Sequence, residues 1–460
     1  VTAGPAARGE RPAEGARPAE GEPSAEGERP AETPVAGANW PPIPRRSFWA
    51  SKGVRTGALF TVLALCGVTI LALVRQHIGT EPFLIGLALA ILPVPLLLCS
   101  FLWLDRVAPG PWQNAVFAIA WGACAATLVA IFANKYGEQL VSSAFSGTPS
   151  QSDHRSATFV APLVEETAKG AAVLLLFLFR RRHIESIVDG IVLSGLAATG
   201  FAFTENILYL GTAVNEDRDL GSSLVGSMTA GTFFVRVLMT PFAHPLFTSM
   251  TGIGFAIAAT VRPGRHWRWR WAPPLGGWIL AMVLHGTWNG SSFTSPVTFL
   301  TVYVSVMLPA FGLVVWLAFW ARSNELRTIR THLAVYAAAG WLAPPEPAAL
   351  GSMGVRGTAR RETRRFYGDA AARAVREYIA CATRLAFLRA AATRGAPGPD
   401  FAARESELLT QLWSRKPWAQ PALLSAAAPP RPFPAQRPGT WGPPPPYGTP
   451  AAYVPPPKHL

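Results

Sequence analysis

Pro162-Leu163-Val164-Glu165-Glu166-Thr167-Ala168-Lys169 lies inside an otherwise apolar block over residues 157–179. A block of that length is what a helix needs to cross the ~30 Å hydrocarbon core of a bilayer. Ionisable groups inside lipid are expensive and usually serve a function. On a helix, Glu165 and Lys169 share a face at i,i+4, and Glu166 meets Lys169 at i,i+3. One lysine cannot neutralise two glutamates, so one carboxyl is left over, which suits general-base work. The plain alternative is a structural ion pair within the helix.

Seven further apolar blocks surround this one, at about 56–74, 82–104, 115–134, 187–213, 228–261, 274–292 and 297–320. Half of the residues are hydrophobic and 15% are charged. Apolar blocks of this length and number mark a membrane chain rather than two or three soluble domains. The fold class expected is all-α, a polytopic bundle of eight transmembrane helices. The sixth block is too long for one straight helix, and Pro241 and Pro245 predict a break or a re-entrant half-helix there.

Loop charge orients the bundle. Arg45, Arg46, Lys52 and Arg55 precede the first block; Arg180, Arg181 and Arg182 follow the fourth. Arg262, Arg265, Arg268 and Arg270 follow the sixth, and Arg322, Arg327 and Arg330 the eighth. The alternate loops are poor in Lys and Arg, as in Asn215-Glu216-Asp217-Arg218-Asp219. The positive-inside rule then puts both termini in the cytoplasm. Heavy use of Ala, Gly, Pro and Arg suggests a GC-rich bacterial source, hence a bacterial inner (plasma) membrane. The net charge of +14 sits mostly beside the apolar blocks and in the C-terminal third. A lipid bilayer is therefore its partner, not nucleic acid.

Four segments follow. Residues 1–44 are low-complexity, with near-tandem Arg-Pro-Ala-Glu-Gly units at 11–15 and 17–21, and read as disordered. Residues 45–322 are the transmembrane domain. Residues 323–416 are a cytoplasmic helical segment. Within it, 354–416 alternate apolar and basic positions and form one or two helices, on the membrane surface or packed as a hairpin. Residues 417–460 are Pro-rich and expected to be extended and disordered. Cys66, Cys99, Cys124 and Cys381 form no C-x-x-C pair, which argues against a disulfide framework or a zinc knuckle.

The other polar residues in the wrong place are Glu205 and Asn206 in the fifth block, Arg236 and His244 in the sixth, and His285 and Asn289 in the seventh. At ~1.5 Å rise per residue, Glu165 and Glu205 lie roughly 12 Å, and His285 roughly 10 Å, from the outer ends of their helices. Loop charge alone set the orientations, yet three clusters remote in sequence fall at one depth. That convergence points to a single site. Interhelical hydrogen bonding is the plain alternative for Glu205, Asn206, His244 and His285, and a counter-ion role for Arg236. The Trp and Arg alternation at 267–271 reads as an interfacial anchor.

At these residues the chain resembles the PrsW family of intramembrane proteases, and more distantly the CAAX prenyl endopeptidases and Abi proteins. Glu165, Glu166 and Lys169 match its Glu-Glu-x-x-Lys helix. Phe201, Glu205 and Asn206 match Phe-x-x-x-Glu-Asn; Pro241, His244 and Pro245 match its proline-flanked histidine. His285 and Asn289 match His-x-x-x-Asn. The resemblance covers about 155–320. In the CAAX relatives a histidine stands where Glu205 stands here, so its role falls to Glu205 or His244.

The resemblance implies a peptide bond cut near the outer face in a membrane-anchored protein substrate, with an anti-sigma factor as the family's example. The catalytic set expected is Glu165, Glu166, His285, Asn289, Glu205 and His244, supported by Lys169, Asn206 and Arg236. Glu165 is the first choice for general base, His285 and Asn289 for the oxyanion. His244, His285 and Glu205 are the expected ligands if zinc is bound. No H-E-x-x-H motif is present, so a metal-free glutamate mechanism stands beside the metal one. The rivals are a proton-coupled transporter and a non-catalytic membrane scaffold.

Overall fold

The computed structural model describes residues 52–145, 147–221, 226–261, 267–395 and 400–428. The low-complexity tail, Arg45, Arg46, Arg262, Arg265 and residues 429–460 of the Pro-rich tail lie outside the described residues. Thr56–Leu460 forms one compact unit; of the other, Val1–Arg55, only the first turn of the first helix is described.

Among the described residues every regular element is a helix. The bundle begins with α1 (Lys52–Ile78), α2 (Thr80–Ala90), α3 (Val94–Leu104), α4 (Trp112–Ala120) and α5 (Thr127–Ala144). It continues through α6 (Pro149–Arg155), α7 (Ala161–Arg180), α8 (Ile187–Leu220), α9 (Met228–Phe233), α10 (Ala243–Thr260) and α11 (Ala272–Ser292). Then come α12 (Pro296–Val302) and α13 (Leu308–Ala338). Single π-helical stretches at Trp121–Ala126, Ser156–Val160, Phe234–Met239 and Tyr303–Met307 join α4 to α5, α6 to α7, α9 to the break before α10, and α12 to α13.

Six of these helical runs are long and apolar enough to cross a membrane. The two that would complete the expected eight fall short for a physical reason. Glu165, Glu166 and Lys169 put three charges into any bilayer-length window of α7, and α11 carries His285, Asn289 and four glycines. The second expected span is not one helix: α2 and α3 are separated at Ile91-Leu92-Pro93. Pro93 and Pro95 lack the N–H that an unbroken helix would use there. The third runs ten residues past its expected end, to Ala144. The break expected in the sixth block is present, with Thr240 in a non-helical conformation before α10.

Helix α8 is the axis of the bundle, and α2, α3, α4, α7 and α10 pack around it. Ser186 caps its start by accepting from the Val188 and Asp189 amides, and left-handed Gly221 ends it. Small residues let the backbones touch, as membrane helices require when lipid offers no hydrophobic drive between them. A Cβ on Gly252 would stand 2.2 Å from the Gly190 carbonyl oxygen, and one on Gly200 2.1 Å from that of Ile119.

Side chains tie the loops together at two ends. At the basic end, Arg322 donates to the Trp103 and Leu104 carbonyls, Arg181 to those of Ala258 and Ala259, and Ser186 to Glu325. At the other end, Asn215 donates to the Ile78 carbonyl, and His154 stacks on Phe293.

Helix α13 runs on into a second core with α14 (Glu346–Leu350), α15 (Met353–Thr393) and α16 (Phe401–Ala427). The packing that one sequence reading expected for 354–416 is present. Helix α15 folds back on itself at Gly368 (φ 81°), and its second arm packs on α16 through Tyr378, Leu385, Leu412 and Leu423. The boundary expected at 416 falls inside α16, which carries Pro417 and Pro421 within the helix. Burial of Ala419 and Leu423 offsets the two missing hydrogen bonds. Glu346 anchors this core, accepting from the Tyr378 hydroxyl (2.6 Å) and the Gln420 amide (3.0 Å).

Two predictions follow from the packing. Gly252→Ala should destabilise the purified protein by about 1–3 kcal/mol, read as a lower unfolding temperature. Gly276→Ala, whose Cβ meets open space, should not. The second concerns the basic end. Burial and the neighbouring Asp189 push the Glu185 carboxyl up to about 8, and burial with Asp189 pushes Asp105 up to about 7. A carboxyl raised in the folded state stabilises fully below its ordinary value of 4.5, and that contribution is lost as pH rises toward about 8. The unfolding temperature should therefore fall across this window, and Glu185→Gln should flatten the fall.

Candidate functional site

The centre of the polar cluster is the Lys169 ammonium on α7, with no solvent exposure. An ammonium offers three donors and no acceptor. Here they go to Glu165 Oε2 (3.2 Å), Glu166 Oε1 (2.8 Å) and His244 Nδ1 (3.0 Å). The Phe201 ring closes over the same ammonium at 4.1 Å from its centroid.

The two histidines have their tautomers set by these neighbours. His244 Nδ1 accepts from Lys169, so Nε2 carries the proton and donates to Glu205 Oε2 at 2.8 Å. His285 Nδ1 lies 2.9 Å from Glu166 Oε1 and donates to it, leaving Nε2 bare and 3.8 Å from Glu165 Oε2. Each imidazole thus gives one N–H to a carboxylate, the arrangement that orients metal-ligating histidines. The rings stand edge to face with centroids 5.3 Å apart, and Phe247 stacks on His285 at 4.9 Å.

The break in the sixth block builds the other wall. Arg236 sits in the π-helical stretch before the break and His244 in the first turn of α10 after it. The break lets both reach Glu205. Arg236 donates to Glu205 through Nη2 and to Asn206 Oδ1 through Nε at 2.8 Å, and stacks on Tyr209. Pro245 fits because the first turn of a helix leaves its N–H groups unused anyway. Such π-helical stretches are frequent where a helix must present a functional residue.

Three carboxylates, Glu165, Glu166 and Glu205, face two fixed cations, Lys169 and Arg236. The remaining negative charge is one that a proton or a bound cation would balance. One ligand atom each from Glu165, His244 and His285 lies within 4.8 Å of the others. Two imidazoles and a carboxylate are the donor set of a zinc-type centre with a position left open, but His244 Nδ1 and Glu165 Oε2 are here held by the Lys169 ammonium, which such an ion would have to displace. The carboxylate in this group is Glu165, where the sequence reading named Glu205, which is ion-paired with Arg236 and His244. A narrow cavity of about 40 Å³ adjoins the cluster, room for a water or two. Glu205, Asn206, Arg236, His244, His285 and Asn289 line it.

All the sequence-predicted residues except Asn289 join one hydrogen-bonded or ion-paired cluster. Asn289 lines the cavity, but its amide donates to the Ala157 carbonyl at 3.0 Å, so its donor is engaged in holding α11 to the π-helical stretch at 156–160. Two participants were missed. Thr248, one turn beyond His244, donates to Glu166 Oε2 at 2.8 Å. Asn134 on α5 donates to Glu165 Oε1 at 3.3 Å. A hydroxyl or amide in an apolar block is an ordinary sight; only the i,i+4 spacing of Thr248 to His244 signalled it.

Residues 110–314 match the model of the PrsW family intramembrane metalloproteases. The matched region contains every residue of the cluster. No curated protein and no solved structure matches the chain.

Thr248→Val should leave Glu166 Oε2 without its partner in a fully buried position. The expected cost is about 1–3 kcal/mol in unfolding of the purified protein, with Thr248→Ser close to wild type.

Proposed function

We propose that this chain is an eight-pass endopeptidase of a bacterial plasma membrane, with both termini cytoplasmic. It cleaves a membrane-anchored protein near the outer face, of the anti-sigma-factor type that the family resemblance suggests. The observation that carries the reading is the approach of Glu165, His244 and His285 to within 4.8 Å of one another, from three helices and beside a cavity. The lipid-crossing helices and the loop charges support the placement. The family match favours a protease over a transporter or a scaffold.

Peptide hydrolysis needs a proton taken from water, charge stabilised on the carbonyl oxygen, and a proton returned to the leaving nitrogen. In our reading Glu165 takes the water proton and delivers it to the leaving amine. Lys169 and Asn134 fix its two oxygens in place. Glu166 and Glu205 hold the imidazoles of His285 and His244 in their tautomers. Arg236, on the cavity wall, supplies a donor to the developing oxyanion. Phe201 and Phe247 keep bulk water from the cluster. A zinc-class ion held by Glu165, His244 and His285 in place of the Lys169 ammonium would polarise the scissile carbonyl and make a coordinated water more acidic, and Glu165 would then be a ligand instead of the base.

The test is cleavage of a candidate single-pass substrate in proteoliposomes. Glu165→Gln should lower the rate by a factor on the order of 10²–10⁴, and undiminished cleavage would remove Glu165 from the reaction. Chelator followed by zinc separates the two chemistries. Loss and recovery of activity assign the ion, and indifference assigns a metal-free glutamate mechanism. Glu205→Gln should weaken zinc retention by about 10–100-fold if the ion is bound.

A further inference from the structure

Outside the protease region, one surface has a composition that the cluster does not explain. Between residues 360 and 376 stand Arg360, Arg361, Arg364, Arg365, Arg373 and Arg376, all exposed, against Glu362 and Asp369. At the bend of α15, Phe366 and Tyr367 are 68% and 69% exposed. Trp418 of α16, itself 51% exposed, sets its edge on Tyr367 at 6.1 Å. Arg364 reaches across the bend to Asp369 at 2.7 Å and fixes the tip. Three large aromatics exposed together, ringed by arginine, mark an interaction surface rather than scattered apolar residues.

Placement says what it meets. Arg356, near the start of α15, is buried and donates to the Val107 carbonyl, in the connection between α3 and α4. Arg360 lies within electrostatic reach of Arg106 in that connection and of Arg376 on the returning arm. Farther along that arm, Arg384 and Arg394 lie within reach of Glu185, between α7 and α8. Both connections belong to the basic end of the bundle. The second arm of α15 therefore lies across that end instead of pointing away from it. Gly368 is eight residues, ~12 Å of helix, beyond Arg376, so the tip continues past these contacts along the same face.

We propose that the bend of α15 is a foot that seats on anionic phospholipid headgroups of the leaflet at the basic end. Arg361, Arg364 and Arg365 meet the phosphates, and Phe366, Tyr367 and Trp418 enter the interfacial layer. Arginine-ringed aromatics are the side chains that partition to that depth, and the basic charge selects anionic lipid. The foot rests on the topology stated under Proposed function.

Hydrogen exchange of the full-length protein in lipid nanodiscs tests this without any cleavage assay, so it stands or falls apart from the protease reading. Backbone amides of 364–372 should exchange roughly five-fold more slowly in discs containing phosphatidylglycerol than in discs of phosphatidylcholine alone. The combined variant Arg361→Glu, Arg364→Glu, Arg365→Glu and Phe366→Ser should lose that difference. Unchanged exchange at 378–386 in the variant will show that its core is intact. Equal exchange of the wild type in the two lipids would overturn the proposal, as would a difference that survives in the variant.

Discussion

A single buried ammonium holds the polar interior together. Lys169 binds both glutamates of its own helix and His244 of α10, and each of those partners reaches another helix. Glu166 passes to His285 on α11 and to Thr248 on α10, and His244 passes to Glu205 on α8, which is bound by Arg236. No member of such a network can turn to water when it lies in lipid, so each must find its partner in protein. Removing one charge leaves others uncompensated, and a buried charge without its partner is strongly destabilising. The cluster is therefore at once the candidate active site and a constraint on how four helices pack.

The scaffold meets that constraint with close backbone contact and with local breaks. Glycines at 190, 200 and 252 let α8 and its neighbours approach until carbonyls touch the facing helix, which fixes α8 relative to α4 and α10. The interruption at 240–242 turns the chain so that Arg236 and His244 converge on one carboxylate oxygen. A continuous helix would carry residues eight apart along the same face at two different depths. Rigidity from close packing and direction from the break together hold the cavity beside the imidazoles.

Charge made the site legible in sequence. Glu165, Glu166, Lys169, Glu205, His244 and His285 stand out because ionisable side chains do not belong in bilayer-length apolar runs, and loop charge placed Glu165, Glu205 and His285 at one depth. Thr248 and Asn134 did not stand out, since uncharged polar groups satisfy themselves in many membrane helices without any site. The approach of Glu165 to both imidazoles was equally hidden. Sequence shows which carboxylates are present, but not that Arg236 and His244 have already engaged one of them. In the fold, helical character and the break at Pro241 were readable from pattern. The break at Pro93 and the persistence of α16 through Pro417 and Pro421 were not, because a proline's effect depends on whether packing offsets its missing hydrogen bond.

The interdependence of the cluster is most directly measured by a double-mutant cycle on Lys169→Met and Glu166→Gln, read by thermal unfolding of the purified protein. The account predicts strong coupling: Lys169→Met alone unfolds the protein at much lower temperature, and adding Glu166→Gln recovers a large part of the loss. Simple additivity of the two substitutions would contradict it, showing that the ammonium and the carboxylate do not depend on each other.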